Sequence, residues 1–214
     1  MEDFIRNAIL FIPPFLLAIA IHESAHGYVA LRFGDPTARD LGRITLNPLP
    51  HIDLFGLIAL FLIHIGWAKP VPVNPYNLKN PIKDNLWIAL AGPVSNLLLA
   101  IISAVVFRLV APFLENSAAG NFIAIMIGLS VSLNLVLMAF NLFPLPPLDG
   151  FHIIEGLVST NMYVKLQRLE QVGPMLLLGI ILISNFGHLN IFGAIFGPIV
   201  RTLGGLLLGQ PAFW

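Results

Sequence analysis

The sequence contains no cysteine. Disulfides, thiolate metal sites and cysteine catalysis are therefore excluded, and redox chemistry says nothing about compartment. Charge is scarce as well. Only 10% of the 214 residues are Asp, Glu, Lys or Arg, against about 25% in an ordinary soluble domain. The charge that exists cancels, with 11 basic and 11 acidic side chains. A net basic face for nucleic acid is thus missing, and no nucleic-acid partner is expected. No internal repeat and no low-complexity run is present. Apolar residues make up 57% of the chain and mean hydropathy is +0.87. That composition excludes a disordered chain and a soluble enzyme, and leaves an integral membrane protein whose partner is the lipid bilayer.

A membrane-crossing helix needs about 20 mostly apolar residues. Residues 8–31, 86–110 and 121–143 meet that length. The first does not read as a cleavable signal peptide: Glu2 and Asp3 precede it and no small-residue cleavage site follows. Residues 54–66 are too short to span and read as a re-entrant or obliquely packed piece. Residues 174–184 and 191–208 form a last apolar pair, broken at Asn185-Phe186-Gly187-His188. We expect an all-α polytopic membrane protein. It has a three-helix core, a re-entrant segment, a short strand in a loop and a C-terminal apolar hairpin. The core occupies residues 1–160, and the C-terminal helices of 161–214 belong to the same domain. Gly42-Arg43-Ile44-Thr45-Leu46-Asn47 alternates polar and apolar residues and supplies the strand. An unwound substrate pairing with it would be β-addition. Gly173-Pro174 reads as a static kink or a hinge.

Lys and Arg favour the cytoplasmic side. Arg32, Arg39, Arg43, Lys69, Lys79, Lys83, Lys165 and Arg168 fall on one side if 54–66 does not cross. Arg6 and Arg108 fall on the other. The expected topology has the N-terminus outside and the loops 32–53, 67–85 and 144–173 in the cytoplasm. A cell-membrane location follows, with the site below facing the cytoplasm.

Away from the helix ends, the titratable side chains of the three long segments are His22, Glu23 and His26. Ionisable groups in hydrocarbon are costly and mark function by default. These three form H-E-x-x-H. Residues four apart share one helical face, so both imidazoles can reach one metal ion. Glu23 projects about 100° away, beside the ion. Imidazole ligands suit Zn²⁺, one per chain, and catalytic zinc takes three protein ligands. Asp149 is the best-placed third, just past the inner end of the 121–143 segment. Alone, it also reads as a helix cap before Gly150. Asn134 and Asn141, seven apart, share a helical face and read as interhelical glue or cap support. His51, Asp53, His64 and His152 read as interfacial polar residues or as the lining of a water channel.

H-E-x-x-H together with Asn141, Pro144, Pro146, Asp149 and Gly150 resembles the site-2 protease family of intramembrane zinc metalloproteases. Ala91-Gly92-Pro93-Val94-Ser95-Asn96 is similar to that family's Gly-Pro-x-x-Asn stretch. Residues 42–48 and 51–53 resemble the loop of its compact microbial members, which lack a PDZ or C-terminal sensing module. The resemblance implies a catalytic core of the three long helices, zinc on His22, His26 and Asp149, and Glu23 as general base. It implies a role for Asn96 in binding substrate or the oxyanion. It also implies membrane-protein substrates cut in or near their transmembrane segments. An ion or proton carrier and an inactive membrane adaptor are the rival readings. A carrier would show paired repeats, and an adaptor has no need of Glu23.

Overall fold

The computed structural model describes residues 2–56, 58, 66–114, 117–187 and 189–209. Its helices are α1 (Glu2–Arg32), α2 (Thr37–Asp40), α3 (Pro81–Leu114), α4 (Ala118–Asn141), α5 (Asp149–Leu157), α6 (Thr160–Phe186) and α7 (Ile191–Leu208). Short 3₁₀ turns lie at Leu49–His51 and Pro75–Asn77. The described residues make an all-α protein. Five helices, α1, α3, α4, α6 and α7, are long and apolar enough to cross a bilayer. The chain is a multi-pass membrane protein.

Local chemistry fixes several ends. Ser117 caps α4, its Oγ accepting from the Gly120 amide at 2.9 Å. Asn190 caps α7, its Oδ1 accepting from the Gly193 amide at 3.0 Å. Gly209 ends α7 in the left-handed region, φ 71°. Small residues let the long helices approach closely. Ala18, Ala20, Ala30 and Ala100 are fully buried. Around α4, Ala100 joins a larger apolar cluster with Val131, Leu135, Phe196 and Val200, while Ala30 packs with Leu78 and Ile88.

α1, α3 and α4 pack pairwise into the expected three-helix core. The loops 33–53, 66–80 and 142–148 gather at one end of it. Asp35 Oδ2 accepts from the Asn74 amide (2.7 Å) and its Oδ1 from Asn77 Nδ2 (2.8 Å). Arg43 Nη2 donates to the Lys69 carbonyl at 2.8 Å. Past Asn141 the chain turns through Pro144, Pro146 and Pro147. It folds back so closely that a Cβ on Gly150 would sit 2.2 Å from the Leu142 carbonyl oxygen. Only glycine fits under that turn, and the return places Asp149 beneath the end of α4.

Two expectations are corrected. Residues 42–47 form turns and bends, not a strand, and no strand occurs among the described residues. The reason is that α1 claims their backbone. Ser24 Oγ donates to the Thr45 carbonyl (2.7 Å) and accepts from the Thr45 amide (3.0 Å). An isolated bridge, Ile52 to Ala68, links the flanking loops.

The C-terminal pair is not a hairpin of antiparallel spans. α6 starts two residues after α5, which packs on α3, and Gly173 in its middle rests on Pro146. α7 begins at the same end, with Phe192 and Phe196 against Phe140 at 5.7 and 6.0 Å. It finishes at the opposite end, where Arg108 Nη2 donates to the Leu206 carbonyl at 2.8 Å. So α7 runs in the same direction as α3. α6 leaves the core and hands over to α7 at one end, continuous through Gly173-Pro174. The re-entrant reading of 54–66 rests on residues 57 and 59–65, which lie outside the described residues, as does His64.

Candidate metal centre

His22 and His26 sit on α1, and Asp149 opens α5 as its first residue rather than as its cap. Their side chains converge. His22 Nε2 lies 3.2 Å from Asp149 Oδ2, and His26 Nε2 lies 3.4 Å from Asp149 Oδ1. The two Nε2 atoms are 3.0 Å apart. Among the described residues this is the one group of three His, Cys, Asp or Glu side chains close enough to hold a metal ion together. Ligand atoms about 2.0–2.1 Å from a tetrahedral zinc lie about 3.3–3.4 Å apart, so the spacing fits.

The hydrogen bonds behind the rings decide which nitrogen carries the proton. His26 Nδ1 lies 2.7 Å from the Ile88 carbonyl, which can only accept. Its proton is therefore on Nδ1, and its Nε2 lone pair faces the cluster. His22 Nδ1 lies 2.5 Å from Asn96 Oδ1 and is likewise a donor. Asp149 Oδ2 is buried and makes no hydrogen bond. With both rings neutral, as metal ligation requires, two imidazole lone pairs and a carboxylate face one another. A cation at their centre resolves that repulsion, and the donor set fits zinc.

α3 makes room for the rings. A Cβ on Gly92 would sit 2.5 Å from His22 Cε1 and 2.5 Å from His26 Nε2. Any side chain there collides with both ligands. Pro93 follows and is fully buried. Without an N–H it leaves one helix carbonyl unpaired.

Glu23 follows His22 on α1 and is held from the loop side. Its Oε2 accepts from the Val71 amide at 2.8 Å. Val71 is buried, and two bonds from Arg43 to the Lys69 and Pro70 carbonyls pin the segment that carries it. Asp35 ties the following turn to the end of α1. Burial alone would raise the Asp35 carboxyl, but hydrogen bonds from Thr37, Asn77 and the Asn74 and Thr37 amides outweigh it and hold the pKa below its ordinary value.

Asn96 lies behind His22 and is fully buried. Its Nδ2 donates to Asn134 Oδ1 at 2.9 Å, while its Oδ1 accepts from His22 Nδ1. Asn141 bonds its own helix, Nδ2 donating to the Leu137 carbonyl at 3.0 Å. His51 is buried against the Thr45 carbonyl (3.1 Å), and Asp53 accepts from the Gly56 amide (2.8 Å). His152 pairs with Glu155 at 2.8 Å, one turn along α5 from Asp149. Sequence reasoning missed Gly92 as a spacer, the Val71 amide as a partner of Glu23, and Asn134 as a partner of Asn96. A glycine and two asparagines in apolar helices were the available signal; a backbone amide offers none.

The model of peptidase family M50 matches residues 10–122. The chain belongs to peptidase family M50. This family is the one the two motifs resemble, and its members here include zinc metalloproteases. YwhC of Bacillus subtilis is 38% identical over 86% of this chain and 91% of its own length. Rip2 of Mycolicibacterium smegmatis is 30% identical over 77% of this chain and 63% of its own. Both bear provisional zinc-metalloprotease names. The zinc metalloprotease MJ0392 of Methanocaldococcus jannaschii is 28% identical over 89% of this chain and 47% of its own length. No solved structure matches the chain significantly. As a member of M50 with membrane-crossing helices, the chain is an intramembrane metallopeptidase.

Proposed function

We propose that this chain hydrolyses peptide bonds in or near the transmembrane segments of membrane-protein substrates. In this reading His22, His26 and Asp149 hold one zinc ion and Glu23 is the general base. The observation that carries it is the convergence of two Nε2 atoms, on rings whose Nδ1 atoms are turned to acceptors, on the Asp149 carboxylate within 3.4 Å. When bound, zinc supplies Lewis-acid polarisation of a peptide carbonyl and makes water more acidic.

The chain's own residues do the rest. The Val71 amide holds Glu23 Oε2, which fixes the carboxylate and leaves Oε1 to take a proton from water. Glu23 then returns that proton to the leaving amine. Asn96 has both polar atoms engaged behind His22, which supports a role in holding that ring rather than in touching the oxyanion. A substrate helix hides its carbonyls in internal hydrogen bonds and must unwind to reach the site. The basic loops cluster at the site end of the core, which supports a cytoplasmic site in the cell membrane. Residues 1–160 contain every proposed site residue, and 161–214 complete the same domain.

The test is cleavage of a transmembrane peptide by the full chain in proteoliposomes. Glu23→Gln is expected to lower the rate by about 10²–10⁴-fold, the range for losing a general base, while zinc stays bound. Unchanged cleavage in that variant would refute the role of Glu23.

A further inference from the structure

His26 and His22 are oriented by different means. His26 donates straight to a backbone carbonyl, that of Ile88. His22 donates to a side-chain amide, Asn96 Oδ1. A backbone carbonyl accepts whatever happens around it. An amide accepts only if it is turned the right way, because its other end donates. The direction of Asn96 must therefore be set by something else.

Asn96 Nδ2 makes a long bond to the Ala18 carbonyl at 3.5 Å, and its shorter, stronger bond runs to α4. Asn134 is fully buried, and its Nδ2 donates to the Ser130 carbonyl at 2.8 Å. The carbonyl can only accept, so Asn134 is locked with Oδ1 turned the other way. Oδ1 accepts from Asn96 Nδ2 at 2.9 Å. Asn96 is locked in turn, and its Oδ1 faces His22. One fixed acceptor at Ser130 thus sets the polarity of three successive hydrogen bonds across three helices. We propose that Asn134 is a positioning residue. Through Asn96 it keeps the His22 proton on Nδ1 and the Nε2 lone pair toward the metal. This rests on the metallopeptidase reading above.

Interhelical glue would be served by either polarity. The site would not. With Asn96 reversed, its Nδ2 would face His22 Nδ1, and the ring would have to carry its proton on Nε2. That proton would point at Asp149 Oδ2, 3.2 Å away, where a ligand's lone pair is needed. His26 would be unaffected. Outer partners of metal ligands typically change affinity by about 10–100-fold when lost, so the relay acts on binding rather than on folding.

The experiment compares the full-length wild type, Asn134→Leu and Asn134→Asp in lipid nanodiscs. Zinc affinity is read by competition with a chelator. The imidazole tautomers of the zinc-free chains are read by ¹⁵N NMR, and folding is checked by thermal unfolding. Leu removes the acceptor at similar volume, and zinc affinity should fall about 10–100-fold with His22 moving toward the Nε2–H form. Asp keeps an acceptor oxygen for Asn96 and should hold affinity close to wild type. Wild-type affinity in folded Asn134→Leu would overturn the proposal. So would an equal loss in both variants with the His22 tautomer unchanged. If Asn134→Leu does not fold, the wild type still decides: an Nε2–H tautomer at His22 refutes the relay. A wild type with the Nδ1–H tautomer but no affinity for zinc would sink the metallopeptidase reading and leave the relay standing.

Discussion

The two ends of the helical core are built from different material. At the site end, buried polar groups are common: His22, Ser24, Asp35, Arg43, His51 and Asn96. Each backbone or side-chain partner is specific, and hydrogen bonds run from loop to helix. Toward the other end, α3, α4 and α7 meet through Ala100, Ala104, Val131, Leu135, Val200 and Leu208. Directional bonds are few there, the Ser103–Ser130 hydroxyl pair at 3.0 Å and Arg108 to the Leu206 carbonyl among them. Lipid tails are as apolar as these residues, so packing rather than water exclusion holds that half together. The contrast teaches that the apolar half supplies a frame and the polar half spends stability on geometry. The chain of Asn96 and Asn134 lies where one passes into the other.

The comparison can be broken from either side. Gly92→Ala should have the largest effect, because its Cβ has no space beside the two imidazoles. We expect loss of bound zinc and of cleavage together, checked by metal content and peptide hydrolysis. If zinc is retained, α3 does not set the room at the site. Leu135→Ala, at a fully buried position of the apolar half, should cost about 2 kcal/mol of stability. That is the low end for such truncations, because burial in lipid carries little transfer energy. Zinc content should not change; a loss of zinc would mean that the two halves are not separable.

Asp35→Asn should have a smaller effect, with a pH signature. A carboxylate whose pKa is depressed by folding adds stability above its unfolded pKa, and that stability is lost as pH falls through the folded value. The variant should therefore be less stable than wild type at neutral pH, by about 1–3 kcal/mol, with the gap closing on acidification. Thermal unfolding of both proteins across pH checks this. A gap that widens as pH falls would contradict the role of the carboxylate. Ser24→Ala frees the Thr45 amide and carbonyl, and a loss of about 1 kcal/mol is expected, with zinc retained.

Much of the site was legible because its information is local. H-E-x-x-H is a statement about one helical face, and the face forms as the spacing requires. Asp149 was legible because prolines forced the chain out of helix at a known depth. The strand at 42–47 was misread because alternation reports two-sidedness, not a partner. Here the second side is Ser24 of α1, which takes both backbone groups of Thr45. The direction of α7 was not legible either. Hydropathy gives a helix its length, while its direction comes from contacts such as Arg108 with Leu206. Asn134 could be seen as a polar residue in an apolar helix, but its partner is 38 residues away.

The central claim is that His22, His26 and Asp149 together hold one catalytic zinc ion. It is tested most directly by metal analysis of the purified full chain beside Asp149→Ala, both from metal-replete preparations. The account predicts about one zinc per chain in the wild type and loss or marked weakening in the variant. Zinc-free wild type, or full zinc affinity without Asp149, would contradict it.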